Sequence, residues 1–195
     1  KGGTVNSVVT INVTPVNDAP TTADQSKTTA EDTALTGKIV ATDVDGDTLS
    51  YAVQSGTAHG TLVLNTATGD YTYTPSKDYN GPDSFTVRVS DGKGGFADSV
   101  VNVNVTPVND APITADQSKT TAEDTVLTGK IVASDVDGDT LTYTIKAGSA
   151  PTHGSVTLNA ATGDYTYTPS KDYNGSDSFT VVVSDGKGGT VNSVV

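Results

Sequence analysis

Between Ser84 and Ser90 the chain alternates strictly: Phe85, Val87 and Val89 are apolar, whereas Ser84, Thr86, Arg88 and Ser90 are polar. A period of two puts one set on each face of a strand, so this segment reads as a strand buried on one side. Tyr71 and Tyr73 share a face by the same rule. Runs rich in Val, Thr and Tyr recur between clusters of Gly, Asp, Asn and Pro. They predict strands at 21–30, 35–42, 48–54, 61–65, 70–75, 84–90 and 96–106. No stretch sustains a helical period.

The pattern occurs twice. Residues 15–20 (PVNDAP) recur at 107–112, an offset of 107 − 15 = 92, and residues 23–33 recur unchanged at 115–125. His59 matches His153 at an offset of 153 − 59 = 94, so the second copy gains two residues just before that histidine, where a loop tolerates insertion. Residues 1–9 are identical to 187–195. The chain therefore divides into the last strand and linker of a preceding repeat (1–18), repeat one (19–108) and repeat two (109–195), truncated in its last strand. Seven short strands in about 90 residues predict an all-β, immunoglobulin-like Greek-key sandwich for each repeat. Tyr79 and Tyr173 stand just before the sixth strand, where such sandwiches place a tyrosine that bonds back to the backbone. An odd number of strands puts the two ends of each copy at opposite poles. The copies are then expected to join end to end through the short, proline-stiffened linker at 16–20.

Charge narrows the function classes. Eleven basic residues face 23 acidic ones, for a net charge of −12, which disfavours nucleic acid and anionic membrane surfaces as partners. Cysteine is absent, so disulfides and thiolate chemistry are excluded, and two histidines are too few for a histidine-rich zinc site. No apolar run approaches the roughly 20 residues of a membrane span, so membrane insertion is not expected. No signal peptide opens the sequence, and the abrupt Lys1-Gly2-Gly3 start reads as that of a fragment. His59 and His153 each precede Gly in what reads as a hairpin turn, with no nucleophile and base beside them; an enzyme is not expected.

Traced along the expected path, the acids gather at the ends of the repeats. The first strand leads away from Asn17 and Asp18 and reaches the far end near Glu31 and Asp32, where the fifth strand also delivers Asp78. The second strand returns Asp43, Asp45 and Asp47 to the linker end, and the sixth leaves Asp91 there. At the boundary between copies this brings Glu31, Asp32 and Asp78 towards Asn109, Asp110, Asp135, Asp137, Asp139 and Asp185; Glu123 and Asp172 are the copy-two equivalents of Glu31 and Asp78. Eight of those nine boundary side chains are acidic, with Lys77 and Lys187 nearby in sequence. Two carboxylates about 4 Å apart repel by roughly 4 kcal/mol at an effective dielectric of about 20. Turn-rich surfaces favour Asp in any case, but a set of hard oxygens from four segments suits Ca²⁺, with Mg²⁺ the weaker candidate. The Asp-Val-Asp-Gly-Asp run is not an EF-hand. Counting Asp43 as position one, Gln54 stands where the bidentate Glu belongs (Lys146 in copy two), and the glycine is at position four.

The Asn-Asp-Ala-Pro linker, Ala-Glu-Asp, Ala-x-Asp-x-Asp-Gly-Asp-x-Leu-x-Tyr, Tyr-Thr-Tyr-Thr-Pro, Tyr-Asn-Gly-x-Asp-Ser-Phe and Val-Ser-Asp-Gly-x-Gly-Gly together resemble bacterial cadherin-like tandem repeats of the extender regions of large RTX adhesins. The resemblance covers nearly the whole chain. It implies calcium held between neighbouring repeats, with Glu31 and Asp78 as upper ligands, Asn109 and Asp110 as linker ligands, and Asp135, Asp137 and Asp185 as lower ligands. Asp78-Tyr79-Asn80 lacks the second acid that cadherins tend to have there. The expected role is a calcium-rigidified stalk of a secreted bacterial surface adhesin, in cell adhesion and biofilm formation. The alternatives are a polysaccharide-binding or homophilic cadherin-like module. Glycan binding is not favoured, because most of the eight Tyr and three Phe fall at inward positions and there is no Trp. Residues 4–14 also read as a final strand without a sandwich, expected to complete copy two of another molecule by strand exchange.

Overall fold

The computed structural model describes all 195 residues, and the chain forms two compact units, Lys1–Pro107 and Val108–Val195. All regular structure is β. Unit one contains β1 (Thr21–Thr22), β2 (Gln25–Ala30), β3 (Leu35–Lys38), β4 (Ala41–Thr42), β5 (Ser50–Ser55), β6 (Gly60–Leu64), β7 (Asp70–Pro75), β8 (Gly81–Ser90) and β9 (Phe96–Thr106). One sheet has the order β2-β9-β8-β5 and the other β3-β7-β6, with β1 and β4 paired as a short ribbon. The alternation at 84–90 holds: Phe85, Val87 and Val89 are buried with Val101, Val103 and Val105, and Tyr71 and Tyr73 join them from β7. Tyr71 meets Phe85 edge to face, the favoured arrangement for two ring quadrupoles.

The expected first and second strands are each broken in two. The strand at 21–30 switches partners at Ala23-Asp24: β1 pairs with β4, and β2 then runs parallel to β9, from Gln25↔Val101 to Ala30↔Thr106. Asp24 Oδ1 accepts the Val100 N–H and Ala23 O accepts the Ser99 hydroxyl, so the crossing backbone is held by side chains. The strand at 35–42 is interrupted at Ile39, whose N–H donates to Gly69 O while its side chain is fully buried. The loop carrying His59 is also not a hairpin. It crosses from β5 in one sheet to β6 in the other, and the His59 ring stacks on Tyr79 at 4.2 Å. Tyr79 bonds to the backbone as expected, but forward, its hydroxyl donating to Pro82 O at 2.7 Å.

Unit two repeats this plan with β10 (Ile113–Thr114), β11 (Leu127–Lys130), β12 (Ala133–Ser134), β13 (Thr142–Ile145), β14 (Gly154–Leu158), β15 (Asp164–Pro169), β16 (Thr180–Ser184) and β17 (Thr190–Val194). Its sheets have the orders β13-β16-β17 and β11-β15-β14. Residues 117–122, the counterpart of β2, form no strand, because β17 stops where their parallel partner would begin. Residues 1–20 form no strand either, and Val5, Val8, Val9, Ile11 and Val13 are 80% to 94% exposed.

Candidate metal centre

Register fixes which residues share an end of unit one. Ser50 pairs with Ser90 at one end, while Ala30↔Thr106 and Gly81↔Val105 mark the other. The 43–47 loop, the 91–95 turn and the linker therefore meet at the first end, and residues 31, 32 and 78 collect at the second.

At the first end the loop is closed by its own acid. Asp43 Oδ1 accepts the N–H groups of Asp45 and Asp47 at 2.9 and 3.3 Å, and Gly46 supplies the positive φ of 78° that the turn requires. One carboxylate oxygen from each of Asp43, Asp45 and Asp47 lies within 4.8 Å of the others. The linker is bound to this loop: Asp18 N–H donates to Asp45 Oδ2 at 2.8 Å. Lys93 Nζ approaches Asp47 Oδ1 at 2.6 Å, and the carboxylates around it hold its ammonium above the ordinary lysine value, the hydrogen bond to Asp47 foremost.

Unit two builds the same loop from Asp135, Asp137 and Asp139. Asp135 Oδ1 accepts from Asp137 and Asp139 at 3.0 and 3.3 Å, and Asp110 N–H donates to Asp137 Oδ2 at 2.8 Å. Lys187 Nζ lies 2.6 Å from Asp139 Oδ1. In both loops the second oxygens of the first and last acids, Asp43, Asp47, Asp135 and Asp139 Oδ2, are buried without a hydrogen-bond partner. A buried, unpaired anionic oxygen is costly. Three converging carboxylates with orphaned oxygens fit a hard divalent cation with oxygen ligands.

Asp91 and Asp185 sit at the same end in a different role. Asp91 Oδ1 accepts from the Lys93 and Gly95 N–H groups, and Oδ2 from Gly95 N–H and Asn17 Nδ2 at 2.8 Å. Three donors thus hold its two oxygens, the Gly95 N–H shared between both, and the Asn17 bond foremost holds its carboxyl below the ordinary aspartate value. Asn109 does the same for Asp185 at 2.7 Å. A Cβ at Gly95 would collide with the Asp91 carboxylate and lie 2.9 Å from the Ala19 Cα, which is why the turn ends in glycine. These two acids fasten the linker asparagine and leave the open oxygens to the loops.

The second end is built from strained aspartates. Asp32 and Asp78 have φ of 54° and 55°, and Asp78 N–H donates to Asp32 Oδ1 at 3.1 Å. Asp124 and Asp172 repeat both features, with φ of 58° and 57° and a 3.1 Å bond. Asp is among the few residues that tolerate this left-handed backbone. Glu31 follows β2 directly, its N–H bonded to Thr106 O at 2.9 Å; Glu123 is the exposed counterpart. Lys77 pairs with Asp78 at 2.6 Å.

One carboxylate that matters structurally has no place among the expected ligands. Asp83 accepts from the N–H groups of Ala58, His59 and Ser84 and from the Tyr73 hydroxyl. Burial pushes its carboxyl up, but the four donors outweigh burial and hold it below the usual value. Asp177 repeats the arrangement with Tyr167, whose hydroxyl is pushed up to about 12 by burial and by the carboxylate. The signal was in the alternation: Asp83 is in phase with Phe85, Val87 and Val89, so it had to point inward.

The family profile described as "Bacterial Ig domain" matches residues 17–104 and 109–195. Among solved structures, the human CDH23 EC21-23 fragment is 20% identical with a TM-score of 0.60, over 94% of this chain and 66% of that one. The human protocadherin-24 EC1-2 fragment is 20% identical with a TM-score of 0.56, over 92% of this chain and 94% of that one. An endo-fucoidan hydrolase of glycoside hydrolase family 107 is 21% identical with a TM-score of 0.42, over 93% of this chain and 29% of that one. The chain thus spans less than a third of that hydrolase and just under two-thirds of the CDH23 fragment. At such identities the likeness is one of fold. A search of curated protein sequences finds no match.

Proposed function

The chain belongs to the bacterial Ig domain family through both of its units, and on that premise we propose that it is a calcium-stiffened extender module of a secreted bacterial surface adhesin of the RTX type. Its work is mechanical and non-enzymatic: it holds a ligand-binding region away from the cell in adhesion and biofilm formation. The observation that carries this reading is the pair of Asp-x-Asp-x-Asp loops, each with two buried carboxylate oxygens that lack a partner.

Bound there, Ca²⁺ would supply positive charge and bonds to six to eight oxygens. The rest is done by the chain. Asp43 and Asp135 close the loops through their Oδ1 atoms and turn Oδ2 inward. Asp45 and Asp137 accept from the linker amides of Asp18 and Asp110, so an ordered loop is also an ordered linker. Asn17 and Asn109, clamped by Asp91 and Asp185, fix the linker at a second point. Without a divalent ion, a single lysine partly neutralises each set of three acids. The reading extends to Glu31, Asp32 and Asp78, one linker away from unit two along the chain, and has them add oxygens to the same ion; Glu123 and Asp172 would serve a following repeat.

Small-angle scattering and calorimetry of the whole chain in calcium and in chelator test the proposal. Heat of binding and a longer, stiffer particle in calcium are expected; identical dimensions in both would remove the rigidity claim. Glycan capture that is indifferent to calcium would replace this reading with the polysaccharide-binding one. Against that outcome stands the burial of six tyrosines, Tyr51, Tyr71, Tyr73, Tyr143, Tyr165 and Tyr167, which leaves few rings for a sugar platform.

A further inference from the structure

The two main sheets of unit one end in four edge strands, β2 and β5 in one sheet, β3 and β6 in the other. A sheet edge exposes a row of unpaired N–H and C=O groups, and natural sheets guard it with charge, shortness, a bulge or a cover. Three of the four are guarded in this way. β2 carries Lys27, β3 is four residues long and ends in Lys38, and β5 is broken by a bulge between Val53 and Ser55. β6, Gly60-Thr61-Leu62-Val63-Leu64, has no charge, no proline and no break in its pairing with β7.

The ladder fixes which groups of β6 face outward. Ser76 N–H donates to His59 O and Asn65 N–H to Asp70 O, both at 2.8 Å, so by alternation Thr61 and Val63 also bond to β7. The N–H and C=O groups of Leu62 and Leu64 therefore point to the open side. Those of Gly60 do too, but its carbonyl already accepts the Thr57 hydroxyl at 2.7 Å. The side chains of Leu62 and Leu64 pack on the core, whereas Val63 stands on the outer face, 70% exposed and paired with Thr72. Unit two has the same open strand in β14, with Thr157 in place of Val63.

We propose that β6 is a self-association edge, on which β6 of a second copy of the chain docks antiparallel. The occupant follows from charge and from symmetry. Two molecules of net charge −12 repel over most of their surfaces. This uncharged edge, with Thr72 and Thr74 beside it on β7, is where two copies approach at least cost. An edge that meets its own copy makes an isologous, closed contact. With Gly60 O taken, the bonding pairs are Leu62 with the partner's Leu64 and the converse, which sets Val63 directly against the partner's Val63. That is a non-hydrogen-bonded pair, in which opposed Cα atoms lie about 4.5 Å apart and the side chains touch. The exposed valine thereby gains an apolar neighbour, and two three-stranded sheets become one continuous sheet. Main-chain bonds supply the affinity, as in strand addition generally. The contact is separate from the Asp loops and does not rest on the calcium reading.

Sedimentation of the whole chain from micromolar to millimolar concentration tests this, in chelator to keep calcium out and in salt high enough to screen the charge. A reversible dimer is expected. Val63→Lys, at a position exposed enough to leave the fold and its circular dichroism intact, is expected to stay monomeric. The chain has no cysteine, so a single introduced one reports the register. With a mild oxidant, Val63→Cys should form a disulfide-linked dimer, because opposed Cα atoms then fall within the roughly 4.4–6.8 Å that a disulfide spans. Thr61→Cys, which faces the partner's Asn65, should not. A chain that stays monomeric at every concentration overturns the proposal. So does a dimer that survives Val63→Lys, since another surface then holds it. Thr61→Cys linking as fast as Val63→Cys also overturns it, since the strands then do not meet in this register.

Discussion

The backbone amide of Asp110 donates to Asp137 Oδ2 at 2.8 Å, a bond that Asp18 and Asp45 repeat at the same distance and the same 27-residue separation. A loop acid is thus the anchor of the linker. On the proposed reading Asp137→Ala removes a cation ligand and this anchor together, whereas Asp137→Asn keeps an acceptor for the amide and loses only the charge. Both are expected to weaken calcium binding by at least the roughly 10–100-fold that even outer partners of a metal cost. Titration calorimetry reads the loss, and circular dichroism should show both sandwiches still folded. Unchanged affinity in Asp137→Asn would mean that the carboxylate serves only the linker.

Lys187 is the opposing test. Its ammonium neutralises part of the charge of Asp139, Asp137 and Asp135, so on the proposed reading Lys187→Gln should tighten calcium binding and lower the melting temperature in chelator. The pH dependence has a definite sign. The folded lysine titrates above its unfolded value because of Asp139, Asp137 and Asp135, the bond to Asp139 first. Its contribution is therefore complete below the unfolded value and is lost as pH rises through the folded one. Thermal melts from neutral pH to about pH 11 should show that alkaline loss in chelator and a much smaller one in calcium.

Asp83 belongs to stability rather than to binding. Asp83→Ala leaves the amides of Ala58 and His59 without their acceptor and the Tyr73 hydroxyl with only the longer bond to His59 O, an expected cost of about 1–3 kcal/mol or more in denaturant unfolding. Because the folded carboxyl titrates below its unfolded value, this stability is present above the ordinary aspartate range and disappears as pH falls through the folded value. Calcium affinity should be unchanged.

Gly37 and Gly129 are packed against the rings of Tyr71 and Tyr165, which a Cβ at either position would overlap. Gly37→Ala and Gly129→Ala must displace those rings, and each is expected to destabilise its own unit by about 1–3 kcal/mol, seen as one shifted transition in a two-step melt.

Much of this fold was legible because its alternation is so regular: one face of β8, the paired tyrosines of β7 and the full repeat follow from period and self-comparison. The breaks in the first two strands were not. They come from long-range bonds, Val100 to Asp24 and Ile39 to Gly69, and no local pattern encodes a partner 30 or 76 residues away. The convergence of Asp18, Asp43, Asp45 and Asp47 within one unit could be read from strand direction alone. The division of labour between those loop acids and the hydrogen-bonded Asp91 could not, since it depends on which N–H groups a turn aims at each oxygen.

One feature of unit one bears on force. β2 and β9 are side-by-side strands pointing the same way, joined over six rungs, and the chain enters ahead of one and leaves after the other. Tension along the polypeptide drags them past each other lengthwise, so all six rungs resist together instead of peeling apart singly. If the proposed stalk role holds, unit one yields to tension only when a whole seam slides.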